Sequence, residues 1–98
     1  MSVDLRLMRY VIAIAETGSF EAAAERLHMT QPPLSRQIRD LERELGVQLF
    51  HRRPTRLTEA GKVFVESARQ VLAEAERMVE RTREAAGLSR GLVRVGYT

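Results

Sequence analysis

The apolar positions in the first half of the chain recur at the spacing of three amphipathic helices. The first helix is predicted over residues 4–16 and ends at Gly18. Its core-facing stripe is predicted at Leu5, Met8, Ile12 and Ala15. The second helix is predicted to begin after Ser19, whose hydroxyl can cap the free amides of its first turn. Its stripe is predicted at Phe20, Ala23, Ala24 and Leu27.

A third helical stripe follows an interruption at residues 28–30 and ends at Gly46. It consists of Leu34, Ile38, Leu41 and Leu45. Two helices joined by about three residues form a helix-turn-helix, which we place at about residues 20–39. Helical geometry alone does not imply DNA binding, because many small helical bundles share it.

Two adjacent prolines, Pro32 and Pro33, stand where the third helix starts. The first amides of a helix have no intrahelical partner, so proline sacrifices no hydrogen bond there. We expect the prolines to hold Gln31 and Pro32 outside helical geometry and to stiffen the turn. They also give this corner a rigid apolar surface suited to a thymine methyl group.

Residues 47–58, VQLFHRRPTRLT, place short apolar pieces around a polar turn and predict a two-stranded hairpin. A hairpin beside a helix-turn-helix is a wing. Thr58 is then predicted to cap a long helix that runs to about Ala86 and spans roughly 40 Å.

The long helix carries apolar and small residues in a strict 4,3 alternation, which is a heptad seam. A lone helix would expose this seam to water, so a second copy of the chain is its simplest partner. The residues predicted to form the dimer contact are Phe64, Ala68, Val71, Leu72, Ala75, Met78 and Val79. Three ion pairs are predicted on its solvated side: Glu66 with Arg69, Glu74 with Arg77, and Glu80 with Arg83.

The composition of the chain limits the cellular compartment that we expect for the protein and the chemistry that its side chains can perform. The 98 residues suffice for one small domain and an appended element. The chain has no cysteine, which excludes disulfides and thiolate sites. No apolar run approaches the roughly 20 residues of a membrane span, and a signal peptide is not recognisable, so we expect a cytoplasmic protein.

Charge is distributed unevenly along the chain. The net charge is only +3, and all of the basic residues except Lys62 are arginine. Between Leu45 and Thr58 the chain has three arginines and no acid, which predicts a positive patch near the tip of the wing. The wing arginines are either solvated in a loose loop or bound to phosphate or the minor groove.

The outward face of the third helix is the strongest candidate for chemistry. Opposite its apolar stripe lie Pro32, Arg36, Arg39 and Arg43, with Ser35 on the flank. A solvated charged face is the alternative interpretation. The N-terminal part of such a helix enters the DNA major groove, however, and Gln31, Ser35 and Arg36 can hydrogen-bond base edges or phosphates there.

Enzymatic chemistry finds little support. The chain has no nucleophile elbow, dinucleotide-binding or P-loop pattern, and its two histidines lack a carboxylate at ligand spacing. We predict no catalytic residue, no metal site and no cofactor. The competing hypothesis is a helical interaction module whose charged face binds an acidic protein, which would dimerise without binding duplex DNA.

A specific series of motifs runs from Ser19 to Gly61, SFEAAAERLHMTQPPLSRQIRDLERELGVQLFHRRPTRLTEAG. It combines Ala-Ala-x-x-Leu, Gln-Pro-x-x-Ser, Leu-Glu-x-x-Leu-Gly-x-x-Leu-Phe and Leu-Thr-x-Ala-Gly. The series resembles the N-terminal domain of LysR-type transcriptional regulators. The resemblance implies a mainly α fold, a winged helix-turn-helix with three helices and a two-stranded β wing, followed by a long dimerisation helix.

The resemblance also implies a domain organisation. It assigns residues 1–58 to the DNA-binding domain, with the wing at about 47–58, and residues 59–87 to the linker helix. Residues 88–98 would be the hinge and first strand of an effector-binding domain, so we expect the natural protein to continue past Thr98. Full-length members are usually homotetramers that respond to a small-molecule effector, and the Pro-Pro form resembles regulators of aromatic-compound degradation.

The partner implied by the resemblance is double-stranded promoter DNA, bound by a homodimer that pairs its linker helices antiparallel. Carried onto matching positions, the recognition-helix contacts are Gln31, Pro32, Pro33, Ser35 and Arg36. Further contacts are expected at Thr30, Arg39, Arg52, Arg53 and Arg56.

Overall fold

The computed structural model describes residues 3–88 as four helices and one two-stranded antiparallel sheet. The elements are α1 (Leu5–Thr17), α2 (Phe20–Arg26), α3 (Gln31–Leu45), β1 (Phe50–His51), β2 (Arg56–Leu57) and α4 (Glu59–Ala85). The predicted winged helix-turn-helix with a long C-terminal helix is confirmed. The predicted strand after the hinge lies outside the described residues. None of the helices within residues 3–88 is long and apolar enough to cross a membrane.

The helix boundaries follow from capping residues visible in the sequence. The Ser19 hydroxyl accepts a hydrogen bond from the amide of Ala22 at 2.9 Å, which starts α2. The Thr58 hydroxyl accepts one from the amide of Gly61 at 2.9 Å, which starts α4. Gly46 ends α3 at a φ of 77°, the left-handed conformation that glycine adopts without strain. These predicted boundaries are confirmed.

The start of α3 differs from the prediction. Thr30 is extended, and Gln31, Pro32 and Pro33 are the first three helical residues. The expectation that Gln31 and Pro32 stay outside the helix is therefore wrong. The first four amides of a helix have no intrahelical acceptor, so proline is tolerated at the second and third positions, and its fixed φ fits the helix.

The buried face of α1 also differs from the prediction. Leu7, Val11 and Ile14 are buried in the core, whereas Leu5 is 36% exposed. The other three predicted positions, Met8, Ile12 and Ala15, are half-buried. All three other helices pack on α1, so its apolar surface is wide. The predicted stripe is the flank of that surface, and the central stripe follows the same helical spacing one position away.

The long helix α4 divides into a packed half and an exposed half. Val65 and Ala68 are buried where α4 packs on α1, and Phe64 lies against the core. Ala68, predicted in the dimer contact, is already buried in the single chain, and it also lines an apolar groove together with Val71, so its place in the dimer contact stays a prediction. Beyond this point, Val71 and Met78 are 43% and 59% exposed. Val63, in the packed half, is also 63% exposed, so apolar surface without a partner is present along both halves of α4.

One predicted ion pair of α4 is replaced by a contact between helices. Arg69 does not pair with Glu66, so that prediction is wrong. Its Nη1 donates to Glu16 of α1 at 2.9 Å, and Arg26 of α2 donates to the same carboxylate at 2.6 Å. Glu16 thereby links three helices. Elsewhere, the predicted pairing of Glu74 with Arg77 is confirmed, and that of Glu80 with Arg83 stays a prediction.

We expect the Glu16 carboxylate to make a small, pH-dependent contribution to stability. The hydrogen bond from Arg26, followed by that from Arg69, holds the pKa of Glu16 below its ordinary value of 4.5. A lowered folded-state pKa stabilises the fold above pH 4.5, and this stabilisation is lost as the pH falls through the folded-state value. Because the side chain is 39% exposed, solvent screening limits the contribution to about 1 kcal/mol or less.

The measurement is the free energy of unfolding of Glu16→Gln and of the unaltered chain at pH 7 and pH 3. The variant should be less stable at pH 7, and the difference should shrink at pH 3. Glu66→Gln removes an acid that forms no ion pair within residues 3–88, and it is the matched control. Equal losses in the two variants would contradict a role for the three-helix contact.

Candidate nucleic-acid interface

The outward face of α3 presents the predicted hydrogen-bonding residues at its N-terminal end. Gln31 and Arg36 are exposed, and Ser35 is half-buried. Gln31 Nε2 donates to the Ser35 hydroxyl at 3.1 Å, so the two side chains form one polar unit on successive turns. Leu34 and Ile38 are completely buried on the opposite side. The apolar stripe thus fixes which face of α3 is presented to solvent.

A concave surface connects this helix with the wing. Its polar walls come from the start of α2, the outward side of α3 and the tip of the hairpin. The residues that line it are Ser19, Phe20, Glu21, Gln31, Ser35, Arg39, Arg52, Arg53 and Thr55. Residues far apart in sequence therefore face one cleft, so α3 and the wing tip can contact the same ligand.

The cations of this surface are mostly uncompensated. Four exposed arginines form no ion pair within the described part of the chain: Arg36, Arg39, Arg53 and Arg56. In contrast, Arg43 on the next turn of α3 pairs with Asp40 at 3.0 Å. Free guanidinium groups can pair bidentately with phosphate oxygens or with guanine. The second and third turns of α3 and the wing thus carry four arginines whose charge is available to a ligand.

The wing is a short hairpin with register Phe50 to Leu57 and His51 to Arg56. Arg53 lies at its tip with a φ of 68° and is exposed, and Arg56 is exposed on the second strand. Arg52 instead turns inward and pairs with Glu42 of α3 at 3.1 Å. The prediction that Arg52 contacts DNA stays untested, but its guanidinium already has an intramolecular partner.

The remaining predicted contacts frame the cleft. Thr30 and Pro32 are exposed at the start of α3, and Pro33 is half-buried. Neither the role of Glu42 nor that of Phe20, whose ring centroid lies 5.0 Å from the Arg52 guanidinium carbon, was predicted from the sequence. An acid directly after Leu41 on the core side of α3 was the available signal.

Comparisons with known proteins agree with this geometry. The family described as "Bacterial regulatory helix-turn-helix protein, lysR family" matches residues 5–62. The regulator TfdT of Cupriavidus pinatubonensis is 45% identical over 97% of the chain, which spans 42% of that protein. ClcR of Pseudomonas putida is 47% identical over 97% of the chain, which spans 33% of that protein. The chain therefore covers less than half the length of these relatives, which are named as transcriptional regulators.

Solved structures show the same fold. The DNA-binding domain of BenM in complex with benA site 1 DNA has a TM-score of 0.82 and 44% identity, covering 86% of this chain and 97% of that one. The DNA-binding domain of CbnR in complex with DNA also has a TM-score of 0.82, with 48% identity over 86% of this chain and 99% of that one. The chain belongs to the LysR family of bacterial regulatory helix-turn-helix proteins.

Proposed function

We propose that the chain binds double-stranded promoter DNA sequence-specifically, with α3 in the major groove and the wing on the adjacent backbone. The observation that carries this proposal is the single concave surface formed by the start of α3 and the wing tip, flanked by arginines without ion-pair partners in residues 3–88. The BenM and CbnR domains, which share the fold, were solved with DNA.

The residues divide into base readers and backbone contacts. Arg36, exposed on the second turn of α3, can donate two hydrogen bonds to guanine O6 and N7. Gln31 and Ser35, held together at 3.1 Å, present donors and acceptors beside it. Thr30, Pro32, Pro33 and Arg39 frame this position. Arg53 and Arg56 extend from the wing and supply sequence-independent attraction to phosphates.

The functional unit is proposed to be a homodimer. An apolar groove lies between α1, the end of α3 and the first half of α4, and a second apolar strip follows the exposed half of α4. Val71 lines both. An antiparallel second copy of α4 would cover the two together and place the exposed Met78 against the partner's groove.

The two recognition helices of such a dimer would sit about 34 Å apart or a multiple of it, one turn of DNA. For the full-length protein we propose a cytoplasmic homotetramer with a small-molecule effector bound outside the present chain. The competing acidic-protein hypothesis predicts a dimer that leaves duplex DNA unbound, and the comparisons do not favour it.

Replacing Arg36 with alanine is expected to reduce both affinity and sequence preference. Loss of a bidentate guanine contact costs about 1–3 kcal/mol of discrimination. The measurement is fluorescence anisotropy on duplexes that the unaltered chain selects from the source genome, alongside scrambled duplexes of equal length. Binding to the scrambled duplexes should change much less, because phosphate contacts dominate it.

Arg43→Ala is the matched control, since Arg43 is exposed on the same helix but pairs with Asp40 at 3.0 Å. It should leave sequence preference intact. If Arg36→Ala preserved both affinity and preference, α3 would not be the reading element. If the unaltered chain bound neither selected nor scrambled duplexes at low salt, the acidic-protein hypothesis would replace DNA binding.

A further inference from the structure

A buried carboxylate joins the recognition helix to the wing. Glu42 is only 9% exposed and is the one charged residue buried in the described part of the chain. Its Oε2 accepts hydrogen bonds from the amides of Leu49 at 2.8 Å and Phe50 at 3.2 Å. A buried carboxylate needs such donors, because an unpaired charge in the protein interior is costly.

Arg52 completes this contact from the wing. Its Nη1 and Nη2 donate to the two oxygens of Glu42 at 3.2 and 3.1 Å, a bidentate pair. Nη1 also donates to the carbonyl of Phe50 at 3.0 Å, which fixes the guanidinium relative to β1. The guanidinium lies over the ring of Phe20, which packs edge-on against Phe50 with centroids 5.7 Å apart. These contacts thus join three parts of the fold at one point: the start of α2, the start of the wing and the end of α3.

The wing needs this external support. Its strands have two residues each, and an isolated two-stranded hairpin is at best marginally stable in water. Leu49 and Phe50 anchor its first strand in the core, and the amide of Thr58 donates to the carbonyl of Leu49 at the base of the hairpin, but these contacts lie away from the tip. The bidentate pair with Glu42 is directional and lies directly before the exposed Arg53.

We infer that Glu42 and Arg52 are positioning residues that hold the wing at a fixed distance from α3, so that Arg53 meets the DNA backbone while Arg36 reads the major groove. This inference rests on the proposed DNA binding. It assigns Arg52 a different role from the direct DNA contact that the wing sequence predicts. The two roles predict opposite results when the charge of Glu42 is removed.

The test compares Glu42→Gln with the unaltered chain on the selected duplexes, over a range of salt concentrations. If Arg52 positions the wing, the variant should bind more weakly and its salt slope should fall by about 0.9, the value of one phosphate contact. If Arg52 is itself a DNA ligand, the neutral partner would release it, and affinity would stay equal or increase. The second result would overturn the inference.

A double-mutant cycle separates positioning from general destabilisation. Arg53→Ala should lower the salt slope in the unaltered chain and change little in the Glu42→Gln background. An equal effect of Arg53→Ala in both backgrounds, or no effect in either, would overturn the inference. Asp40→Asn is the matched control, since it breaks an exposed pair on the same helix and should leave binding unchanged.

Arg52→Lys provides a second route if Glu42→Gln does not fold, which circular dichroism will show. Lysine keeps the charge but not the planar fork, so positioning predicts the same loss of slope as Glu42→Gln. A retained slope would identify a direct phosphate contact and overturn the inference. Binding of the unaltered chain, and its dependence on Arg36, are measured in the same series. Failure of the inference therefore remains distinct from failure of the proposed DNA binding.

Discussion

Gly61→Ala is expected to destabilise the domain strongly, although alanine is normally the better helix residue. A Cβ at position 61 would lie 2.0 Å from the carbonyl oxygen of Leu49 and 2.9 Å from Cδ2 of Leu57. The first of these atoms belongs to the backbone and cannot rotate away. Leu49 also accepts a hydrogen bond from the amide of Thr58 at 3.0 Å, so its carbonyl is held in place.

The size of the loss follows from comparing two effects. Alanine in place of glycine contributes roughly 1 kcal/mol within a helix. Overpacking against a fixed backbone costs typically 1–3 kcal/mol and occasionally more, and a 2.0 Å approach is at the severe end. We expect a net loss of at least about 2 kcal/mol, which lowers the Tm by on the order of 10 °C for a domain of this size.

The measurement is thermal unfolding by circular dichroism at one fixed protein concentration, because the proposed dimerisation would make the Tm depend on concentration. Gly46→Ala is the informative control. Its φ is 77° and an added Cβ meets no atom within 4 Å, so it reports backbone strain of about 1–2 kcal/mol without a clash. A Gly61→Ala variant as stable as the unaltered chain would show that the wing can shift away from α4.

Local signals made most of the fold predictable. The helical stripe of α3 and its end at Gly46 depend on residues close together in sequence, and so does the start of α4 after Thr58. The wing was predictable because apolar residues flank a turn around Pro54. The buried face of α1 was not, because Leu7, Val11 and Ile14 follow the same helical spacing as the predicted stripe. Only the packing of three other helices decides between the two faces.

The candidate site was predictable where it depends on a single helix and not where it depends on tertiary contacts. The outward positions of Gln31 and Arg36 follow from the buried positions of Leu34 and Ile38. The pairing of Arg52 with Glu42 does not, because the residues are ten positions apart and meet only when the hairpin docks on α3. A count of wing arginines therefore overstates the positive charge available to DNA.

Val71→Glu is expected to convert the proposed dimer into a monomer and to weaken binding to two-site DNA by a large factor. Val71 is 43% exposed in the single chain and lines both apolar grooves, so a partner helix would cover it. Burial of an unpaired carboxylate there would oppose association. Ala75 lies one turn further along the same face of α4, and it is half-buried and small. A facing helix can therefore pack closely there, and the space left is too small for a glutamate side chain from position 71.

In a dimer, binding to one half-site holds the second subunit at a high effective concentration near the other half-site. Loss of the dimer removes this effect, which is worth about 10²- to 10⁴-fold in affinity. Binding to a single half-site should change little, because the surface formed by α3 and the wing remains intact. Sedimentation equilibrium gives the oligomeric state, and titration of one-site and two-site duplexes gives the affinities.

Ala73→Glu is the matched control: it adds the same charge to the same helix at an exposed position outside both grooves. It should remain dimeric. A dimeric Val71→Glu chain would place the partner surface elsewhere, and a monomer with undiminished two-site affinity would separate DNA binding from dimerisation.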